Sequence, residues 1–292
     1  MKVRIGVGLG PLDGPAGFAD VVDHAEALGI DSLWLPEVVF SAHIDPFIGM
    51  AHALSRTTRL KVGSGVAVLP GRNPVLVAKQ LASLAALAPK RVLPVFGLQP
   101  ARRSERQVFP VNGKRSAVFD ETMRLVRMLL EQDEVTFQGE FHTVEGATVG
   151  PRPNRLDIWL GGAAPAALDR VGRLADGWLA SLVTPEEARH GRETIMAAAD
   201  AAGRGIEDDH YGISLPVATD GVPNELVAAV RNRRGDVDPA ALVPDGWAAA
   251  RDLIRAYIDA GLTKFVVRPA GNVDISAFLD EFTAELKPLE TP

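Results

Sequence analysis

The residues most able to do chemistry gather at a few places. Gly161-Gly162-Ala163-Ala164 runs directly into Pro165. Small residues there let a ligand approach the backbone, and unpaired N–H groups at a helix start favour an anion. The same residues equally suit a tight strand-to-helix turn with proline at its first helical position. Gly63-Ser64-Gly65, followed by Val66, sits inside an otherwise apolar run. Glycine in a strand marks a bulge or a close backbone approach, so a flat aromatic ligand could lie on that wall. Close packing inside the fold is the other reading. Gln99 to Arg115 carries Arg102, Arg103, Arg106, Lys114 and Arg115, a basic stretch in a chain of net charge -6. It could steer an acidic substrate or a cofactor tail, or simply be a solvated loop.

Other polar residues follow apolar runs: Glu37 and then His43, Gly97-Leu98-Gln99, Ser181 and Arg268. Glu37 is a candidate polar contact. His43 is either a catalytic group or a polar loop residue. Trp34, Trp159, Trp178 and Trp247 read as packing residues.

Several chemistries are excluded or disfavoured. There is no cysteine, which removes disulfides, thiolate nucleophiles and zinc–thiolate sites. The six histidines show no His-x-x-x-His pair, so metal catalysis has little support. No serine lies in Gly-x-Ser-x-Gly, the elbow of many hydrolases. Lys61 and Lys264 lie near strand starts, the wrong end for a barrel that forms a Schiff base on lysine.

The elements that must position these residues alternate. Strand-like runs lie at Val3 to Val7, Asp31 to Leu35, Leu60 to Leu69, Arg91 to Phe96, Leu156 to Leu160, Asp176 to Leu182, Tyr211 to Val217 and Thr263 to Val267. Helix-like runs lie at Phe18 to Leu28, Asp45 to Leu54, Pro74 to Leu87, Val118 to Leu130, Pro165 to Leu174, Pro185 to Ala202, Pro223 to Arg231, Trp247 to Ala260 and Ile275 to Leu286. Val135 to Thr143 alternates around Gly139 and reads as a hairpin inserted before the fifth strand. Strict alternation means a parallel sheet with helices outside. Eight units suit a (β/α)8 TIM barrel spanning residues 1–292 as one domain. An open doubly wound sheet is the alternative; against it, Gly6-Val7-Gly8-Leu9-Gly10 lacks the third glycine of a dinucleotide fingerprint, and Pro11 follows.

The 292 residues are 47% hydrophobic and 23% charged, a composition for a folded core rather than disorder. No apolar run approaches the ~20 residues that span a bilayer, and the chain starts at once with a strand-like run rather than a signal peptide. A cytoplasmic protein is expected. Its acidic balance argues against nucleic-acid or anionic-membrane partners.

Four stretches together resemble the luciferase-like flavin- and deazaflavin-dependent oxidoreductases: FADVVDHAEALGIDSLWLPE from Phe18, VGSGVAVLPGRNPVLVAKQLASLAAL from Val62, VTFQGEF from Val135 and IWLGGAAPAALDRVGRLADGWL from Ile158. Within that superfamily the chain looks most like the actinobacterial type that uses coenzyme F-420. The resemblance implies a (β/α)8 barrel with an insertion before the fifth strand. It implies a ring in the barrel mouth backed by a bulge at Gly65-Val66, often with a non-prolyl cis peptide. It implies a phosphate loop at Gly161, Gly162, Ala163 and Ala164, with Ser181 nearby, and polar help from Glu37, Gly97 and Gln99. Two departures stand out. Relatives often place a histidine after the acidic residue that ends the second strand, where this chain has Val38. The sugar-phosphate dehydrogenases carry a glutamate where this chain has Gln99, with Glu105 further along the loop. The expectation is therefore hydride transfer between F-420 and a small organic substrate, the proton donor unassigned, in a homodimer. The alternatives are an FMN-dependent two-component monooxygenase and a non-catalytic F-420- or flavin-binding protein.

Overall fold

The computed structural model describes residues 2–10 and 17–291. Its first half runs β1 (Arg4–Gly8), α1 (Phe18–Ala27), β2 (Ser32–Leu35), α2 (Pro46–Arg56), β3 (Lys61–Ser64), β4 (Ala67–Val68), α3 (Pro74–Leu87), β5 (Val92–Leu93), β6 (Val95–Gly97) and α4 (Arg115–Glu131). Then come β7 (Val135–Gln138) and β8 (Thr143–Ala147), β9 (Trp159–Gly161), α5 (Pro165–Leu174), β10 (Gly177–Ser181), α6 (Pro185–Ala201), β11 (Tyr211–Val217), α7 (Asn224–Arg233), α8 (Trp247–Asp259), β12 (Lys264–Pro269) and α9 (Ile275–Leu286).

Ten strands form one curled, parallel sheet in the order β4-β6-β9-β10-β11-β12-β1-β2-β3-β5. The apolar runs at Leu60 to Leu69 and Arg91 to Phe96, each expected as one strand, are each broken in two. The first is interrupted by Gly65 and Val66, whose peptide bond is cis. The second is interrupted by Pro94, which has no N–H to give a ladder. The halves keep step: β3 pairs with β5, and β4 with β6. β7 and β8 pair antiparallel between α4 and β9. This hairpin extends to Ala147, beyond the expected Thr143. It is fastened to α4 by the buried Glu121 carboxylate, which accepts from the backbone N–H groups of Glu140, Phe141 and His142 at 2.7–2.8 Å.

Helix starts follow their sequence signals. Asp45 caps α2, Asn73 caps α3, and Thr184 with Glu187 forms a capping box on α6. Each of these helices begins with proline, whose missing N–H costs nothing there. The core sits inside the sheet and beneath the helices, with Val7, Leu33, Val62, Phe96 and Phe265 fully buried. At the amino ends of the strands, Asp31 pairs with Lys264 and, at 2.8 Å, with Lys61. Both lysines are thus tied up far from the mouth. No described helix is long and apolar enough to cross a membrane.

Candidate functional site

A cavity of about 640 Å³ opens at the carboxyl ends of the strands, the end where parallel barrels place their chemistry. Gly65, Val66, Gly97, Gln99, Gly161, Gly162, Ala163, Ala164 and Ser181 all line it. The floor is set by Val66. A Cβ added at Gly97 would stand 2.6 Å from Val66 Cγ2, and one at Gly161 would stand 3.1 Å from Val66 Cγ1. Glycine at these two strand ends is what gives the Val66 side chain its place. Gly65 is different: a Cβ added there would make only ordinary van der Waals contact, with Trp34 Cβ at 3.7 Å. Gly63 serves packing: a Cβ there would meet the Leu93 carbonyl at 2.5 Å and the Trp34 ring at 2.8 Å. The flat wall is therefore Gly65-Val66 alone. Trp34 both packs and lines the cavity, its Nε1 donating to Ser32 Oγ at 2.9 Å.

The turn after β9 is built from one constrained glycine and three permissive residues. Gly162 has φ +119°, where an L side chain is strained, and a Cβ there would meet Ala167 at 2.9 Å. Trp178 Nε1 donates to the Gly162 carbonyl at 2.7 Å and fixes the turn from β10. Ala164 offers α5 no side-chain cap. Pro165 has no N–H and Ala167 N–H donates to the Ala164 carbonyl at 2.7 Å, so of the first turn of α5 the Ala166 N–H is the group left for a ligand.

Glu37 lies elsewhere. It is 6% exposed and does not line the cavity. It accepts from Val68 N–H at 2.7 Å and pairs with Arg72, whose guanidinium lies over the rings of Phe47 and Phe109. Burial pushes its carboxyl up against the opposing pull of Arg72. It ties the end of β2 to the short β4, which has few other backbone partners.

Glu105 is fully buried and serves the loop itself. It accepts from Phe40 N–H at 2.9 Å, while Arg102 donates to the Phe40 carbonyl at 2.6 Å. It is not free to move a substrate proton. Arg106 donates to Gln99 Oε1 at 3.1 Å, and Arg115 to the Phe109 carbonyl at 2.6 Å. Arg102, Arg103 and Arg106 stand outside the cavity lining, but their neighbour Ala101 is part of its rim.

His43 lines the cavity, with Nδ1 2.9 Å from Ser41 Oγ. Burial lowers its pKa, the Gly10 carbonyl opposes this, and the charge of Arg102 lowers it further. The shift favours the neutral ring. The cavity lining holds three arginines, Arg170, Arg233 and Arg268, and no Asp or Glu among the described residues. One face of α7, carrying Leu226, Ala229, Val230 and Arg233, covers part of it. Sequence reasoning assigned that face no role, although its spacing of three, one and three residues is a helical stripe. Phe119 and Arg170, from α4 and α5, were equally unassigned.

Among the described residues one group has metal-ligand spacing: Glu207, Asp209 and His210, ligand atoms within 4.8 Å. It lies at the amino end of β11, away from the cavity, and His210 Nδ1 is already 2.7 Å from the Asp176 carbonyl.

Residues 2–267 match the family described as luciferase-like monooxygenase. An F-420-dependent glucose-6-phosphate dehydrogenase of Kineococcus radiotolerans is 27% identical, with 95% of this chain and 94% of that protein aligned. An F-420-dependent secondary alcohol dehydrogenase, solved with an F-420–acetone adduct, superposes with a TM-score of 0.84 at 19% identity over all of both chains. A monooxygenase from Streptomyces bottropensis superposes with a TM-score of 0.77 at 23% identity, over 98% of this chain and 99% of the other. At these identities the two structures establish a shared fold.

Proposed function

The chain belongs to the luciferase-like monooxygenase family, and on that premise we propose that it is an oxidoreductase moving a hydride between coenzyme F-420 and a small organic substrate. The observation that carries this reading is one cavity combining the Gly65-Val66 wall with the uncapped Gly161–Ala164 turn and, among the described residues, no carboxylate. That combination fits a flat ring with a phosphate. Gly65 and Val66 would back the ring. Gly161, Gly162, Ala163, Ala164 and Ser181 would hold the phosphate through backbone and hydroxyl groups. When bound, F-420 supplies the hydride chemistry.

The chain's own residues orient the substrate, exclude water and manage the proton. His43 is the one imidazole among the described lining residues, the side-chain type that exchanges protons most readily near neutral pH. We assign it the proton exchanged with the substrate oxygen, since Gln99 carries only an amide and Glu37 and Glu105 are engaged elsewhere. In the same reading, β3 with β4 and β5 with β6 are halves of single strands. The sheet is then the eight strands of a (β/α)8 barrel, one domain, with the β7–β8 hairpin as its insertion. Exposed Ile48 on α2 and Leu76 on α3 support a homodimer, checked by sedimentation equilibrium.

The test is equilibrium binding of F-420 and of FMN, followed by quenching of each cofactor's fluorescence. Selective F-420 binding supports the reading. Selective FMN binding replaces it with the two-component monooxygenase, and binding without turnover on any acceptor or donor replaces it with the non-catalytic F-420- or flavin-binding protein. The basic rim adds a second arm. Reversing the charges of Arg102, Arg103 and Arg106 together is expected to weaken binding of F-420, whose oligoglutamyl tail would leave past Ala101, and to spare FMN. Equal losses for both would remove the tail contact.

A further inference from the structure

Among the described residues, two of the three arginines in the cavity have no acidic partner. Arg170 is accounted for: it pairs with Asp120 and lies over the Phe119 ring. Arg268 projects from the carboxyl-terminal part of β12. Among the described residues no ion pair or hydrogen bond reaches its guanidinium, and the charge acting on it is that of Arg233, a like charge. Arg233 ends the cavity-lining stripe of α7, and its only described contact is a long one, 3.5 Å, from Nη2 to the Ala101 carbonyl. Room for Arg268 comes from Gly8 of the neighbouring β1, where an added Cβ would stand 3.3 Å from Arg268 Cβ.

Two like charges facing one partly enclosed space repel, and a guanidinium does not shed its proton to relieve this. An anion between them would turn the repulsion into two charge-assisted hydrogen-bonding groups on one ligand. The phosphate turn cannot supply that anion, because it follows β9, three places along the sheet from β12. We propose that Arg268 and Arg233 form the recognition site for an oxyanion, a carboxylate or phosphate, carried by the substrate. This rests on the F-420 reading, which places the cofactor's own phosphate at Gly161–Ala164. The substrate is then an alcohol or carbonyl compound with an acidic group at its far end, held so that its reactive carbon faces the Gly65-Val66 wall.

The probes are benzoate and phenyl phosphate, whose shared ring suits Leu226 and Val230. Each is titrated calorimetrically into F-420-saturated wild type, Arg268→Gln, Arg268→Lys and Arg233→Gln. Arg268→Gln is expected to weaken the better probe about tenfold or more while F-420 affinity stays within about twofold. Arg233→Gln, on an exposed helix end that folds regardless, is expected to weaken it about threefold, and Arg268→Lys to recover part of the loss. The better probe identifies the oxyanion. The proposal is overturned if neither probe binds wild type, if Arg268→Gln binds them unchanged, or if the same variant loses F-420 instead. Should wild type prove not to bind F-420, the titrations are repeated on the cofactor-free protein, where an unchanged arginine dependence upholds the oxyanion site and sinks only the cofactor assignment.

Discussion

At the scale of single residues, the site turns on which polar side chains are free. A neutral His43 can accept a proton from an alcohol as the hydride leaves. Oxidation is then expected to slow as pH falls and the ring becomes protonated, with a midpoint below the usual imidazole value of about 6.5, because burial lowers this pKa. His43→Asn should abolish that acid limb and lower kcat by about a hundredfold, read from pH–rate profiles. A limb that survives the substitution assigns the proton elsewhere. Sequence placed His43 at the right end of the fold but could not rank it above Glu37 or Glu105. The ranking depends on which backbone N–H groups lie beside each carboxylate. Val68 and Phe40, which occupy those carboxylates, are 31 and 65 residues away in the chain, and local pattern carries no information on such contacts.

At the scale of elements, the site is a set of strand ends and turns, and these were largely legible. Proline at the first helical position and apolar periodicity mark α3, α5 and α6, and the seven-residue strand β11 coincides with its apolar run. Two things escaped. The break within β5–β6 depends on Pro94, whereas the one between β3 and β4 falls at the Gly65-Val66 cis peptide that the resemblance implied. The α7 face depends on where a loosely patterned helix docks. The turn after β9 yields a direct check. Gly162→Ala must accommodate a side chain at φ +119° and 2.9 Å from Ala167, a strain of about 1–3 kcal/mol. It is expected to weaken F-420 binding about tenfold and to leave secondary structure intact by circular dichroism. Unchanged affinity would make the turn purely structural.

At the scale of the whole molecule, the Asp31 ion pairs and the proposed site sit at opposite ends of the sheet. Burial would raise the Asp31 carboxyl, but the ammonium groups of Lys264 and Lys61 outweigh it and hold it well below the usual carboxylate range. Its folded pKa is depressed, so its stabilisation is present above the unfolded value of about 4 and is lost as pH falls toward the folded one. Asp31→Asn leaves buried Lys264 without its counter-ion and is expected to cost about 3–5 kcal/mol. Chemical denaturation at pH 7 would measure it. A native-like affinity for F-420 in the folded fraction would show that the two ends are independent.

The α7 stripe has a kinetic consequence. In the proposed arrangement the cofactor ring rests on Val66 and the substrate, held by Arg268 and Arg233, lies over it, while among the described residues the exposed Arg233 end of α7 meets the opposite loop through the long Arg233–Ala101 contact. Whichever ligand occupies the floor must load first and is trapped by the second to arrive. The steady state should therefore show a compulsory order, with F-420 first on and last off. Substrate in excess should slow turnover by catching the cofactor before it can be exchanged.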